Sequence, residues 1–406
     1  MGRITVSYAG VHEAYQLALA AQEIGELKAF YCALYDDPGK WGARLSGFIG
    51  PSAFEGRRAD GLALNKVVEF PWPLVRKSLR DRFYRRGRDV WLSANDRFDR
   101  WAARRIENAP PEIFVGISSC DLHSLKTAKR HGAMLLHACP SLPDGAVTRL
   151  IAQAADLAGI KAKPRWPFLR RSDGMQSRKA EEYSLADTLL VYSDFHRRTF
   201  EEAGFARERL FIVPLWADRN LWYRTRPKLE DRAEQRAPLK LLFVGSVNLR
   251  KGIPFLMAAM RACGKAAELT IVGPRNAQSD MLLTPLPGNV RYLPPQSKTT
   301  LRQTYEAHDV FVLPSVADAF GFVAVEAMAC GLPIIVTENC GVPVPETDWR
   351  VPAMDSARLA ARILHYADDR ARVFTDGERA VAFAAQFDAE RYRRTIGALF
   401  THILAG

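Results

Sequence analysis

Two acidic side chains bracket the segment of this 406-residue chain with the clearest chemical pattern. Asp318 stands in a loop after the apolar run VFVL, and Glu326 stands eight residues later, inside the run FVAVEAMAC. The first run is typical of a strand buried on both faces of a parallel sheet, and the second predicts a short helix that ends at Gly331. The free N–H groups at the start of that helix suit a phosphate or a sugar hydroxyl.

Basic side chains form a second candidate site, near the start of the second half of the chain. Gly245 ends a predicted strand in a glycine turn, and Arg250, Lys251 and Gly252 stand where the next helix would begin. Cations and helix N-termini aimed at charge that develops during a reaction are usually a large term in catalysis. Gly273 marks a similar turn after the following strand. The pattern indicates a site for an anionic group.

The first half offers a glycine turn and a histidine at strand ends. Gly10 closes a predicted strand–helix turn, and His137 ends the run AMLLH. Open parallel sheets bind ligands at the carboxyl ends of their strands, which makes both residues site candidates. Two alternatives stay open, because glycine is common at such turns and because His137 equally fits a buried core histidine.

Strands alternate with helices along the chain, which predicts an α/β fold with parallel sheets and right-handed crossovers. The stretch from Gly39 to Asn108 is the exception and predicts turns and basic helices. Since single cores stop growing near ~250–300 residues, we expect two domains. A charged stretch without apolar periodicity predicts the linker. The predicted units are residues 1–218, a linker at 219–238, a second domain at 239–385 and a terminal helix at 386–406.

From about Ala180 onward, the sequence resembles glycosyltransferase family 4, whose members are retaining nucleotide-sugar glycosyltransferases with the GT-B fold. The family pattern is Glu-x-Phe-Gly, four residues, and then Glu-Ala-x-Ala-x-Gly-x-Pro. Here it stands as Asp318-Ala319-Phe320-Gly321 followed by Glu326-Ala327-Met328-Ala329-Cys330-Gly331-Leu332-Pro333. The segment ending in Lys251-Gly252 is similar to the family's Gly-Arg-Leu-x-x-x-Lys-Gly, with Ser246 in place of the usual Arg.

The resemblance implies two Rossmann-like parallel-sheet lobes that face a central cleft, with the terminal helix crossing back to the first lobe. It implies that the second lobe binds a UDP-sugar or GDP-sugar and that the leaving phosphate assists a front-face attack, without an enzymic nucleophile. The implied catalytic residues are His137, Asp318 and Lys251. The implied donor-binding residues are Gly10, Gly245, Arg250, Lys251, Gly273, Phe320, Gly321, Phe322 and Glu326.

Several features argue against other classes. The chain lacks a D-x-D motif and a metal-binding histidine pattern, so we expect neither a catalytic metal nor a cofactor. Its six scattered cysteines predict no disulfide framework, and a reducing cytoplasm is the simplest setting. The amino terminus lacks the apolar region of a signal peptide, and no apolar run reaches the ~18 residues of a membrane span.

Positive charge is concentrated in one stretch. The net charge is +12, and ten arginines and one lysine face four aspartates between Val75 and Arg105. Such a stretch either docks on an anionic membrane surface or forms a solvated, salt-bridged helical face. We find no motif for nucleic-acid binding. The expected acceptor is a polysaccharide, a lipid-linked sugar or another envelope glycan, handled in the cytoplasm or at the inner face of the membrane.

Two other readings stay open. A degenerate GT-B protein would bind nucleotide or membrane without turnover, and the departures at Asp318 and Ser246 support it. A sugar-nucleotide epimerase or a phosphorylase would share the fold. A phosphorylase would need a pyridoxal-binding lysine context, which the sequence does not show.

Overall fold

The chain folds into two parallel sheets, each covered by helices. The computed structural model describes residues 2–11, 13–40, 54, 56–76, 88–160, 173–225 and 237–406. Neighbouring strands of the first sheet pair in parallel, and so do those of the second. Parallel strands need long crossover connections, which helices supply. The predicted pair of Rossmann-like lobes is therefore confirmed.

The first lobe is built on a seven-stranded sheet in the order β3-β2-β1-β4-β5-β6-β7. The strands are β1 (Ile4–Tyr8), β2 (Leu27–Cys32), β3 (Val67–Glu69), β4 (Ile113–Ile117), β5 (Met134–Ala138), β6 (Thr188–Val191) and β7 (Leu210–Ile212). The helices are α1 (Ala14–Glu23), α2 (Arg88–Asn108), α3 (Leu122–Arg130), α4 (Asp144–Leu157), α5 (Asp173–Leu185) and α6 (Asp194–Glu202). Every residue of β4 is buried, as expected of a central strand covered on both faces.

The second lobe is built on a six-stranded sheet in the order β10-β9-β8-β11-β12-β13. The strands are β8 (Leu239–Val244), β9 (Ala267–Val272), β10 (Val290–Leu293), β11 (Val310–Leu313), β12 (Ile334–Thr337) and β13 (Arg350–Val351). The helices are α7 (Ile253–Cys263), α8 (Ala277–Leu282), α9 (Lys298–Glu306), α10 (Phe322–Ala329), α11 (Ser356–Asp368) and α12 (Arg370–Ala384). The apolar runs at β11 and β12 are fully buried.

The last helix, α13 (Ala389–Ala405), lies on the first lobe. Arg393 donates to Glu23 Oε1 at 2.6 Å and to Gln16 Oε1 at 2.9 Å, and both acceptors belong to α1. Gly397 faces Ile24 so closely that an added Cβ would lie 3.2 Å from its Cγ2 atom. The chain thus returns to its first lobe after the second sheet. The predicted bounds at residues 218, 239 and 385 stay a prediction.

The structure differs from the sequence-based expectation between Gly39 and Asn108. No strand is predicted there, yet β3 extends the edge of the first sheet by pairing with β2. Its three residues are too few to show the alternation by which a strand is recognised. Within the described ranges, no helix combines the length and the apolar character that crossing a bilayer requires.

Candidate functional site

The site in the second lobe lies where the strand order reverses. β8 pairs with β9 on one side and with β11 on the other, so the loops after β8 and β11 leave the sheet in opposite directions. Gly252 packs the first of these loops against the second. Its φ is 73°, and a Cβ there would lie 1.8 Å from the Pro314 carbonyl oxygen. Only glycine permits this approach. The turn carrying Arg250 and Lys251 is thereby brought beside Asp318.

Lys251, Arg250 and Asp318 form one charged cluster. Lys251 Nζ donates to Asp318 Oδ2, and an Arg250 guanidinium nitrogen lies 4.0 Å from Asp318 Oδ1. Arg250 also donates to the Ala317 carbonyl at 2.9 Å. Burial alone would raise the pKa of the Asp318 carboxyl, but the charges of Lys251 and Arg250 outweigh it, and the pKa is lowered. Asp318 is therefore ionised, and the cationic groups of Lys251 and Arg250 both lie beside its carboxylate.

The two predicted glycine turns support this cluster. Gly245 and Gly273 have φ values of 148° and 152°, which side-chain-bearing residues rarely adopt. A Cβ on Gly273 would lie 2.0 Å from the Gly245 carbonyl oxygen, so the turns after β8 and β9 pack backbone on backbone. A Cβ on Gly245 would lie 3.9 Å from Cε of Lys251. The turn at Gly245 thus lies directly beside the Lys251 side chain.

Glu326 lies on α10 and is half-buried. The Tyr305 hydroxyl donates to Glu326 Oε2 at 3.2 Å. Burial raises the pKa of Glu326 to about 7, although the hydrogen bond from Tyr305 and the charge of Lys298 act in the opposite direction. A half-buried carboxylate with a free oxygen lone pair is a suitable acceptor for sugar hydroxyls.

Gly321 and the two phenylalanines beside it shape the start of α10. Gly321 is the N-cap, with φ 82°, and a Cβ there would lie 2.9 Å from Cys340 Sγ. Phe320 is buried, Phe322 is 37% exposed, and their ring centroids lie 5.7 Å apart. The loop is therefore fixed by packing, and one aromatic ring is left open to a ligand.

A cavity of about 430 Å³ separates the lobes at this point. The second lobe contributes Arg250 and the loop at 317–322. The wall from the first lobe is formed by Pro140, Ser141, Leu142, Val147, Tyr192 and Leu215. The predicted residues Arg250, Asp318, Phe320, Gly321 and Phe322 thus share one wall. Ser141 and Tyr192 lie across the cavity and were not predicted, although their positions just beyond β5 and β6 are a signal that points to them.

His137 lies in a different environment. It is fully buried on β5, and its Nδ1 atom is 2.7 Å from Asp121 Oδ2. Burial lowers the pKa of His137 to about 4, so the ring is neutral at pH 7. Asp121 stands at the N-cap position of α3, but its side chain makes no capping hydrogen bond and contacts His137 instead. His137 does not line the cavity, which gives no support to a catalytic role.

Glu182 completes this buried cluster. One of its oxygens accepts from the Ser119 N–H at 2.7 Å and the other from Arg178 Nε at 3.0 Å. Burial raises the pKa of Glu182 to about 8, and it raises that of Asp121 well above the ordinary range. Ligand atoms of Asp121, His137 and Glu182 lie within 4.8 Å of one another. Each oxygen of Glu182 accepts a hydrogen bond, whereas Asp121 Oδ1 and His137 Nε2 are buried without a hydrogen-bond partner in the described part of the chain. The expected absence of a catalytic metal stays a prediction.

Gly10 follows β1 under the ring of Tyr8. A Cβ on Gly10 would lie 2.4 Å from that ring, so the turn requires glycine for packing reasons. Arg57 donates to the Ala9 carbonyl at 3.0 Å and approaches that of Gly10 at 3.5 Å. Gly10 is not among the residues that line the cavity. A role for Gly10 in donor binding stays a prediction.

The predicted basic stretch is described in part. Residues 77–87 lie outside the described residues. In α2, Asp96 pairs with Arg100 at 2.8 Å, and Arg178 of α5 contacts both Asp96 and Asp99, at 3.0 and 2.6 Å. Asp96 and Asp99 are therefore engaged in ion pairs.

Comparison with known proteins assigns the second lobe to a family. The family model described as "Glycosyl transferases group 1" matches residues 238–369. The second lobe resembles that family from its first strand to the end of α11. This domain holds the two glycine turns, both cations and both acidic residues of the predicted site, whereas Gly10 and His137 lie outside the match.

Relatives of the group 1 domain extend the comparison. The D-inositol 3-phosphate glycosyltransferase of Nocardia farcinica is 32% identical over 216 residues, which are 47% of each chain. The chain thus spans about half the length of the curated relatives it matches. The sucrose-phosphate synthase of Thermosynechococcus elongatus has a TM-score of 0.66 at 19% identity over 100% of both chains. The Anabaena protein HepE, in complex with UDP and glucose, has a TM-score of 0.61 at 16% identity over 99% of this chain and 100% of its own. These structures show the fold, and the predicted GT-B fold is confirmed.

Proposed function

We propose that the protein is a retaining glycosyltransferase that moves a sugar from a nucleotide-diphosphate donor to a polysaccharide, lipid-linked or other envelope glycan acceptor. The observation that carries the proposal is the convergence of Lys251 and Arg250 on Asp318 at the reversal point of a group 1 domain. Two adjacent cations, of which Arg250 lines the inter-lobe cavity, suit a diphosphate whose negative charge grows as it leaves. Named relatives that transfer sugars, and a neighbour that holds UDP and glucose, support the same donor class.

In this proposal each group has a separate task. Glu326 accepts hydrogen bonds from the ribose hydroxyls, and Arg250 and Lys251 hold the diphosphate. Asp318 and the loop at 320–322 border the sugar. The bond between the anomeric carbon and the phosphate oxygen breaks while the acceptor oxygen bonds to the same face. The acceptor proton passes to the departing phosphate. No side chain forms a covalent bond, and the proposal includes neither a metal nor a cofactor.

Turnover with a panel of donors tests this proposal. The full chain is incubated with UDP-sugars and GDP-sugars, first alone and then with envelope glycan fractions, and the released nucleoside diphosphate is measured. Proton NMR of the product reports the anomeric configuration. We expect release with at least one donor and retention of configuration. An inverted product would refute retention, and absence of release with every donor would refute the transferase.

A binding protein without turnover is the second candidate. Asp318 is shorter than the Glu of the family pattern, and its carboxylate pairs with Lys251. Calorimetry on the same preparation separates the two candidates. Binding of UDP or GDP without release of nucleotide from any donor would favour the second one.

We further propose that the basic stretch at 75–105 docks the protein on anionic membrane. Each basic side chain near such a surface contributes roughly 1 kcal/mol, and the attraction weakens over a Debye length of ~8 Å. We expect sedimentation with anionic but not neutral liposomes, decreasing as salt rises. Replacing Arg82, Arg85, Arg86 and Arg88 with Gln should abolish it and leave hydrolysis of soluble donor intact. No sedimentation at low salt would favour a solvated face.

A further inference from the structure

Ser193 joins the two lobes at the cavity. It stands just beyond β6 of the first lobe, and only 6% of it is exposed. Its hydroxyl donates to the Ala319 carbonyl oxygen at 2.8 Å. Ala319 lies between Asp318 and Phe320, in the loop that walls the cavity from the second lobe. One side chain of the first lobe thus holds the backbone that carries Asp318.

The segments around this contact are closely packed. A Cβ on Gly341 would lie 2.0 Å from the Ala319 carbonyl oxygen and 2.3 Å from Ser193 Oγ, so residue 341 has no room for a side chain between them. From the second lobe, the same loop is held by two backbone bonds. The Asp318 N–H donates to the Asn339 carbonyl at 3.0 Å, and Gly341 donates to the Asp318 carbonyl at 2.9 Å. The Ser193 hydroxyl adds a hydrogen bond to this loop from the first lobe.

The first turn of α6 also contacts Tyr192 and Ser141, which belong to the first-lobe wall of the cavity. Ser193 caps this helix by accepting from the His196 N–H at 3.1 Å. The His196 ring accepts from the Tyr192 N–H at 3.2 Å through Nδ1, so its proton is on Nε2, which faces the Ser141 carbonyl at 3.3 Å. Burial lowers the pKa of His196 to about 3 and keeps the ring neutral. Tyr192 and Ser141 both line the cavity.

We propose that Ser193 is a positioning residue for the sugar-transfer step, because its hydroxyl fixes the loop at 318–320 against the wall formed by Tyr192 and Ser141. This inference rests on the proposed function. The hydrogen bonds of the Ser193 hydroxyl go to Ala319 and His196, and none of those described goes to Glu326, Arg250 or Lys251. The loss of its hydroxyl therefore affects the transition state more than the binding of nucleotide.

The test compares Ser193→Ala with Ser193→Thr in the full chain. We expect Ser193→Ala to lower kcat about tenfold while the affinity for UDP or GDP stays within about twofold, the signature of an interaction made in the transition state. Threonine retains both the hydroxyl and the capping ability, so Ser193→Thr should keep at least about half of the activity. If Ser193→Ala turns over like the wild type, or if threonine is as slow as alanine, the proposal is overturned.

A variant at another helix cap separates the effect of the Ser193–Ala319 hydrogen bond from the effect of helix capping. Asp355 caps α11 by accepting from the Arg358 N–H at 2.9 Å, and Asp355→Ala should lower the melting temperature like Ser193→Ala but leave kcat unchanged. Amide hydrogen exchange at 319–322 gives a readout that needs no turnover. We expect faster exchange in Ser193→Ala, and unchanged exchange would overturn the proposal. If the wild type releases nucleotide from no donor, the proposed function fails, while the exchange result still decides whether Ser193 holds the loop.

Discussion

The two lobes place an acidic residue at corresponding positions, but the pKa of its carboxyl group is raised in the first lobe and lowered in the second. β4 lies beside β1 in the first sheet as β11 lies beside β8 in the second. Asp121 follows β4, and Asp318 follows β11. In the second lobe, Lys251 and Arg250 balance the charge and lower the pKa of Asp318. In the first lobe, burial raises the pKa of Asp121, and its neighbour is a neutral histidine.

Under the proposed function, this difference explains why only one of these places suits the donor. Asp318 borders a cavity, and the cations that it holds can also contact an incoming diphosphate. Asp121 is completely buried among groups of its own lobe, and its carboxyl contacts His137.

The largest expected effect comes from removing the two cations beside Asp318 in the second lobe. We expect the double variant Arg250→Ala/Lys251→Ala to lower kcat about 10²–10³-fold, because the developing diphosphate charge loses its donors. Donor affinity should fall much less. Arg261→Ala/Lys265→Ala removes the same charge from exposed positions of the same lobe and should leave kcat unchanged. Full activity of the first double variant would defeat the diphosphate assignment.

Glu326 should give the next largest effect, on nucleotide binding. Glu326→Ala removes a charged acceptor, which costs roughly 1.5–3 kcal/mol and therefore about 10–150-fold in affinity for UDP or GDP. Calorimetry measures this loss directly. Unchanged affinity would remove Glu326 from the site.

The raised pKa of Glu326 adds a second test of its role, namely the pH dependence of nucleotide affinity. Since this pKa is about 7, the carboxylate forms as pH rises through 7, and nucleotide affinity should increase about fivefold to tenfold between pH 6 and 8. Glu326→Gln cannot ionise and serves as the control, since only the phosphate groups of the nucleotide then titrate. Equal pH dependence in both proteins would contradict the assigned role.

The smallest effect concerns stability and the buried cluster of the first lobe. Between pH 6.5 and 8, folded Glu182 keeps a proton that the unfolded chain has released, because its pKa is about 8 against 4.5. The folded state binds more protons, so the free energy of unfolding should fall by about 1–2 kcal/mol over this range. Below pH 6.5, His137 acts in the opposite direction, since its pKa is lowered to about 4.

Denaturant titrations across this pH range test the prediction. Glu182→Gln removes the titrating group and should flatten the decline. Glu181→Gln alters the exposed neighbour and should not change it. A stability that rises from pH 6.5 to 8 in the unaltered protein would show that the carboxylates of the cluster are not protonated in the folded state.

The sequence predicts the second lobe better than the first, for a physical reason. Glycine turns, a cation pair and a carboxylate pair have to stand at fixed local spacing to bind a diphosphate sugar, so they are legible as a motif. The wall of the first lobe depends on contacts between distant segments. Ser193 and Ala319 are 126 residues apart, and His137 and Asp121 meet only through the pairing of β4 with β5. Local spacing carries no trace of such contacts.

Hydrogen exchange with bound nucleotide tests the central claim most directly. The full chain is compared with and without saturating UDP or GDP, whichever binds. We predict slower exchange of the amides at 245–252, 273–275 and 321–326 in the second lobe, and little change at 119–121 and 137–139 in the first. Protection confined to the first lobe, or absent from both turns and α10, would contradict the assignment of the donor site.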